Sequence, residues 1–152
     1  MIDAQAKAAR ARELFLEGYN CAQAIAGAYA SELGMEEKRA VRLASGFGAG
    51  IGGMRGVCGA LSGLMLVYGF ARGYDEAADM EGKKRLYACE QAMAKRFTDT
   101  FEALHCRELL RRAGIEATST PSERTPEYYK KRPCVRYIET CARILADALN
   151  EP

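Results

Sequence analysis

The sequence predicts an all-α protein that folds as one domain of about five to seven helices. Apolar residues recur at the three- and four-residue spacing of a helix face in several segments, and no segment keeps the two-residue alternation of a half-buried strand. A length of 152 residues suits one domain with its own hydrophobic core. We therefore assign residues 1–152 to a single helical domain in which a glycine-rich loop leads into a central helix.

Three helices are predicted before the glycine-rich loop. The alanine-rich stretch Ala4–Glu17 is typical of a helix. Asn20 is a favourable N-cap for a second helix, which begins at Cys21, carries one apolar face and ends at Gly34. A shorter third helix is predicted over Glu36–Ala44.

Four further helices are predicted after the loop. A mostly apolar helix spans Val57–Phe70, and Asp75 is expected to cap a long helix that ends near Phe97. A short helical stretch follows over Phe101–Arg112. The polar segment Ile115–Pro133 contains three prolines and is expected to be a surface loop, after which a last amphipathic helix completes the chain.

Glycine is concentrated in one part of the sequence. Ten of the fifteen glycines lie within Gly46–Gly73, where Cys58 marks the change from loop to apolar helix. The free N–H groups and the positive dipole end of a helix start favour a thiolate, so we expect Cys58 to be the most acidic thiol. Gly59 and Gly63 lie on one helix face and would let another backbone approach closely. The alternative is a tightly packed helix start in which Cys58 is an inert core residue.

Composition indicates the compartment and excludes several classes of partner. The charged share of 28% and apolar share of 49% are those of a soluble globular protein, and a net charge of +2 indicates neither a nucleic-acid nor a membrane-surface partner. No signal peptide is visible, and the apolar run Leu61–Ala71 is shorter than the roughly 20 residues of a membrane span. We expect a cytoplasmic protein, whose six cysteines then favour metal binding or redox chemistry over permanent disulfides.

The six cysteines divide by their position in the predicted helices. Those at or near helix starts, where thiolates are stabilised, are Cys21, Cys58, Cys106 and Cys134. Four cysteines so placed can converge in one electropositive site. Cys89 and Cys141 lie in the middle of apolar helix faces, and we expect both to be buried core residues.

Further candidates lie beside these cysteines. Gly56, Gly59 and Arg55 are candidate cofactor-binding residues around the glycine loop, and Arg55 would add positive charge near Cys58 unless it is simply solvated. His105 is the only histidine and precedes Cys106. It either activates a thiol or binds a metal, or it is a partly exposed residue without a role.

The order of the cysteines carries a family resemblance. Cys21 is followed by Cys58-Gly59-Ala60-Leu61-Ser62-Gly63, then by Cys106 and Cys134. This pattern resembles the C_GCAxxG_C_C family of redox-active proteins, which four cysteines around a CGAxxG motif define. The resemblance covers nearly the whole chain and implies a small prokaryotic protein with a redox role for its four cysteines. Part of the split-Soret cytochromes is similar and is associated with an iron–sulfur centre. This chain lacks their C-x-x-C-H haem attachment, so haem is not implied.

We therefore expect one redox site whose catalytic residues are Cys21, Cys58, Cys106 and Cys134. The four thiols would either cycle between dithiol and disulfide, or serve as metal ligands in an iron–sulfur cluster that transfers electrons to an unidentified redox partner. Thiolates suit zinc equally well, so the alternative is a non-catalytic helical protein with a structural zinc site. The spacing is not the paired C-x-x-C of zinc ribbons, which disfavours that alternative. Homo-oligomer formation stays open.

Overall fold

A computed structural model describes all residues from 1 to 152. The protein is all-α, as predicted, with eight helices rather than five to seven and no strand. The helices are α1 (Ala4–Leu16), α2 (Cys21–Ala28), α3 (Glu37–Leu43), α4 (Gly59–Arg72), α5 (Met80–Phe101), α6 (Cys106–Arg112), α7 (Pro126–Lys131) and α8 (Cys134–Asn150). A single 3₁₀ turn, Ser45–Phe47, follows α3.

The start of α2 is fixed by a reciprocal cap. The Asn20 side chain accepts a hydrogen bond from the Gln23 N–H at 2.9 Å, and the Gln23 side chain accepts one from the Asn20 N–H at 3.0 Å. This arrangement satisfies two backbone donors that a helix start leaves without partners. The predicted cap is thus confirmed, and it sets the position of Cys21 as the first residue of α2.

Helix α2 is the most enclosed element of the fold. All of its residues except Cys21 and Gln23 are buried, and it packs against α1, α3, α4 and α8. Tyr29, directly after α2, is fully buried, and its hydroxyl donates a hydrogen bond to the Ala142 carbonyl of α8 at 2.6 Å. Helix α4 packs on α2 and α8, so α2 and α4 together occupy the centre of the bundle.

Two glycines set the distance between α4 and α2. A Cβ atom added at Gly59 would lie 3.1 Å from Cys21 Cβ, and one added at Gly63 would lie 3.0 Å from the Ala22 carbonyl oxygen. The predicted close approach of a backbone to this face is confirmed, and the approaching backbone is that of α2. The first turn of α4 is therefore held beside the first turn of α2.

The boundaries of α5 differ from those predicted. Asp79, not Asp75, caps the helix by accepting the Gly82 N–H at 2.8 Å, because the absence of a Cβ at Gly82 leaves room for the carboxylate. The helix also continues beyond Phe97. It ends at Glu102, which adopts a left-handed φ of 65°.

The predicted loop Ile115–Pro133 contains a short helix, α7, so the loop assignment is wrong over Pro126–Lys131. The Thr125 hydroxyl accepts the Tyr128 N–H at 3.1 Å, and Pro126 occupies the first helical position. Proline is favoured at that position because its missing N–H would have no partner there. The prolines of this segment predict a loop, but a proline that follows threonine is also typical of the start of a helix.

No helix of the protein is both long enough and apolar enough to span a membrane.

Substitution of two glycines in α4 tests the close approach. We expect Gly63→Ala to lower the free energy of unfolding by roughly 1–2 kcal/mol, because overpacking costs about 1–3 kcal/mol and the gain in helix propensity is at most about 1 kcal/mol. Gly69 has no atom within 4 Å of an added Cβ. Gly69→Ala should therefore stabilise the protein by about 0.5–1 kcal/mol. Chemical denaturation of both variants measures the difference, and equal effects would contradict the packing argument.

Candidate thiol site

The four cysteines at helix starts line one cavity of about 510 Å³. Cys21, Cys106 and Cys134 are the first residues of α2, α6 and α8, and Cys58 is the N-cap residue of α4. All six cysteines of the chain are free thiols in this structure. Residues far apart in the sequence are thus brought together, as expected, whereas their chemical roles stay a prediction.

A short antiparallel backbone pairing joins the segments that carry Cys58 and Cys106. The Cys58 N–H donates to the Leu104 carbonyl at 2.8 Å, and the Cys106 N–H donates to the Gly56 carbonyl at 2.6 Å. The bridge between Val57 and His105 lies between these bonds. Gly56, a predicted cofactor-binding residue, does not line the cavity, and its carbonyl instead fixes the start of α6.

The glycine loop contains an unusual run of backbone conformations. Five consecutive residues, Ala49 to Gly53, have positive φ angles between 53° and 80°, and Arg55 follows with a φ of 59°. For residues other than glycine, such as Ala49 and Ile51, the left-handed region costs roughly 1–2 kcal/mol each. The loop is closed by the Arg55 N–H, which donates to the Ala49 carbonyl at 3.0 Å. Strain of this kind persists where surrounding contacts enforce it, and here it places Arg55 at the cavity.

Arg55 is buried, with only 7% of its surface exposed, so it is not the solvated arginine that was the alternative expectation. Its Nε donates to the Thr118 carbonyl at 2.8 Å, and its Nη1 donates to Cys106 Sγ at 3.4 Å. The guanidinium group therefore contacts Cys106 directly, whereas the sequence placed its charge near Cys58.

Gly59, another predicted cofactor-binding residue, also lines the cavity.

The thiols of Cys21 and Cys134 lie on the same cavity and have pKa values that shift in opposite directions. Interaction with the Cys21 thiol is the main reason why the pKa of Cys134 is lowered. The positive charges of Arg132, Arg124 and Arg55 also lower it, against the effect of burial. The pKa of Cys21 is raised well above its ordinary value by the interaction with Cys134 and by exclusion of water. Of the two thiols, Cys134 is therefore the one that favours the thiolate.

Cys58 is not the most acidic thiol, so that expectation is wrong. Burial raises the pKa of Cys58 to about 12, although the N–H groups of Ala60 and Leu61 at the start of α4 act in the opposite direction. Only 3% of the residue surface is exposed. The helix start is as predicted, but the loss of water around the sulfur has the larger effect.

Two further arginines on the cavity wall were not singled out from the sequence. Arg124 lies over the rings of Phe15 and Tyr128 at 4.7 and 4.8 Å, and Arg132 lies over Tyr128 at 4.9 Å. The interleaving of arginine with Tyr128 and Tyr129 is the sequence signal that could have indicated such stacking. Both arginines flank α7, within the segment interpreted as a loop.

The remaining candidates lie away from the cavity. Cys141 is fully buried, as predicted. Cys89 is exposed, so the prediction that it belongs to the core is wrong; the buried residues of α5 are Gly82, Met93 and Phe97. His105 is exposed and does not line the cavity.

Thiolates are suitable ligands for iron–sulfur clusters and zinc. However, no group of three or more His, Cys, Asp or Glu side chains lies in an arrangement that could hold a metal ion. The predicted iron–sulfur and zinc sites are not confirmed.

The chain was compared with known proteins. No curated protein and no solved structure matches it. The model of the family described as "Putative redox-active protein (C_GCAxxG_C_C)" matches residues 19–148, a span that includes all four cavity cysteines. This match covers most of the 152 residues. The chain therefore belongs to the C_GCAxxG_C_C family.

Proposed function

We propose that the protein is a thiol–disulfide oxidoreductase in which Cys134 and Cys21 cycle between the dithiol and the disulfide. The observation that carries this proposal is that Cys21 and Cys134, the first residues of α2 and α8, line one cavity whose charged residues are all arginines, with opposite pKa shifts on the two thiols. A thiolate beside a protonated thiol is the arrangement that attacks one disulfide and then resolves the resulting mixed disulfide. The redox character of the family supports the same chemistry.

The reaction proceeds in two exchange steps. The Cys134 thiolate attacks one sulfur of an external disulfide, which forms a Cys134–substrate disulfide and releases one substrate thiolate. Cys21 then loses its proton to the released thiolate and attacks the Cys134 sulfur, which forms the Cys21–Cys134 disulfide and releases the second half of the substrate as a thiolate that takes up a proton from water. The protein dithiol is oxidised by two electrons, and the external disulfide is reduced to two thiols. An external dithiol of the cell returns the protein to its reduced form.

Cys58 and Cys106 have different parts in this proposal. The raised pKa of Cys58, due to its burial, keeps it protonated at neutral pH, so it does not compete as a nucleophile. Cys106 is half-buried and accepts a hydrogen bond from the Arg55 guanidinium group. Cys106 and Cys21 are therefore the two half-buried thiols of the cavity, whereas Cys58 and Cys134 are buried.

The presence of four thiols around one cavity favours electron transfer through an iron–sulfur cluster as the second candidate function. The two functions are distinguished by the spectrum and metal content of protein purified without oxygen. Thiol exchange predicts a colourless, metal-free protein that forms a Cys21–Cys134 disulfide during redox titration, identified by peptide mapping. A brown, reducible protein that contains iron would overturn the thiol proposal.

The acidity of Cys134 gives a pH prediction. Its lowered pKa means that the rate of alkylation at Cys134 should reach half its maximum at a pH below that of a free thiol, roughly 8.5. Cys21→Ala removes the thiol that contributes most to the lowered pKa of Cys134 and should move this profile to higher pH. Cys21→Ser retains a hydroxyl donor and serves as the matched control.

Iodoacetamide labelling followed by mass spectrometry measures these profiles residue by residue. Cys58 provides an internal comparison, since its pKa of about 12 predicts almost no labelling at neutral pH. A Cys134 profile with a midpoint at or above roughly 8.5 would contradict the proposed nucleophile.

Replacement of individual cysteines separates the redox pair from the other thiols. Cys134→Ser and Cys21→Ser should abolish the reversible disulfide, because a hydroxyl group cannot replace a thiolate at neutral pH. Cys141→Ala should leave the disulfide intact while lowering the free energy of unfolding by about 1 kcal/mol, since it truncates a fully buried side chain. Cys89→Ala changes an exposed residue, so its effect should stay within about 0.5 kcal/mol.

Redox titration and chemical denaturation of the four variants are the measurements. Loss of the disulfide in Cys141→Ala with retention in Cys134→Ser would show that the redox pair is assigned to the wrong residues.

A further inference from the structure

The wall of the thiol cavity carries an unbalanced positive charge. Its charged residues are Arg55, Arg124 and Arg132, and no Asp or Glu lines it. None of the three arginines forms a salt bridge, although nine other basic residues of the chain do. A thiolate on Cys134 balances one positive charge at most. Two guanidinium charges therefore have no anionic partner in the protein.

The arginines differ in the donors that remain free. Arg124 donates to the carbonyl groups of Phe15 and Tyr19, at 3.3 and 3.1 Å, so it supplies charge but few free N–H groups. Arg55 uses Nε and Nη1 for its protein contacts, which leaves Nη2 without a protein partner. Arg132 makes one long hydrogen bond, 3.4 Å to the Ser122 hydroxyl. Arg55 and Arg132 thus retain donors for a ligand.

Of the two arginines with free donors, Arg55 gives the stronger reason to expect a bound anion, because it is buried. The residue is 93% buried, and a buried charge without a counter-ion is costly. Its position also depends on a loop with six positive φ angles between Ala49 and Arg55. Both costs are offset if an anion binds beside the thiols, because a guanidinium–carboxylate contact is a charge-assisted hydrogen bond.

We propose that the cavity binds a small organic disulfide that carries carboxylate groups, with its anionic ends held by Arg55 and Arg132 and its sulfur atoms facing Cys134. A volume of about 510 Å³ suits a small molecule rather than a protein segment. This inference rests on the proposed thiol–disulfide function. The exchange is the one described above, so the protein dithiol is oxidised and the carboxylate-bearing disulfide is reduced to two thiols.

Three disulfides that differ in charge test the proposal. The reduced protein is reacted with dithiodipropionate, bis(hydroxyethyl) disulfide and cystamine, which are anionic, neutral and cationic, and each rate is divided by the rate of the same disulfide with free dithiothreitol. The normalised rate should be highest for dithiodipropionate, by about tenfold over the neutral disulfide, and should decrease at high ionic strength. Cystamine should be the slowest.

Variants of two arginines near the start of α8 localise the effect. Arg132→Gln should remove most of the preference for dithiodipropionate over the neutral disulfide. The ratio of the rates with dithiodipropionate and with the neutral disulfide is the informative quantity. A change in the acidity of the nucleophile alters both rates equally and leaves this ratio unchanged. Arg136→Gln is the matched control, because Arg136 is exposed, stacks on Phe101 at 5.5 Å and does not line the cavity.

Binding is also measured without any redox step. Suberate has the chain length and charges of dithiodipropionate with carbon in place of sulfur, so calorimetry should detect its binding to the wild type and a roughly tenfold weakening in Arg132→Gln. Equal normalised rates for the three disulfides, or no binding of suberate, would overturn this inference alone. Failure of all three disulfides to react would overturn the proposed function and the inference together.

Discussion

The closeness of α4 to α2 is the constraint on which the site depends. Gly59 and Gly63 bring the first turn of α4 within van der Waals contact of the first turn of α2, so that Cys58 and Cys21 face the same cavity. The backbone pairing of the Cys58 segment with the Cys106 segment then adds α6 to this group. Because α8 packs on α1, α2 and α4, its first residue, Cys134, completes the set. The starts of α2, α4, α6 and α8 therefore converge because each is held in place by its contacts with the others.

All four thiols stand at helix starts, yet the pKa of Cys134 is lowered while the pKa values of Cys21 and Cys58 are raised. A helix dipole contributes about 0.3–1 kcal/mol, whereas full burial of a thiol can shift its pKa by several units of about 1.4 kcal/mol each. Burial therefore dominates at Cys58, where two backbone N–H groups are the only compensation. At Cys134 the thiol of Cys21 and three arginine charges oppose burial together. The acidity of a thiol in this cavity is therefore decided by its burial and its neighbouring side chains, not by the helix that carries it.

Local signals in the sequence predicted the all-α class, the cap at Asn20, the start of α8 after Pro133, the small face of α4 and the four cavity cysteines. These features depend on residues close in the chain, where spacing and capping chemistry apply directly. The sequence did not predict the pairing of Val57 with His105, because one antiparallel bridge has no periodicity. It also misplaced Cys89, since the stripe on α5 faces the protein over only part of its length. Which thiol is acidic depends on three-dimensional neighbours and was likewise out of reach.

The segment between α6 and α8 shows how a stretch without clear periodicity can determine reactivity. It is held at two internal points by arginines, since Arg55 donates to the Thr118 carbonyl and Arg124 donates to the Tyr19 carbonyl. In this way it forms the part of the cavity wall that carries Arg124 and Arg132. The helical bundle fixes the positions of the thiols, and this wall supplies the charge that favours a thiolate on Cys134. The scaffold and the chemistry of the site are therefore encoded in different parts of the chain, joined by arginine–carbonyl contacts.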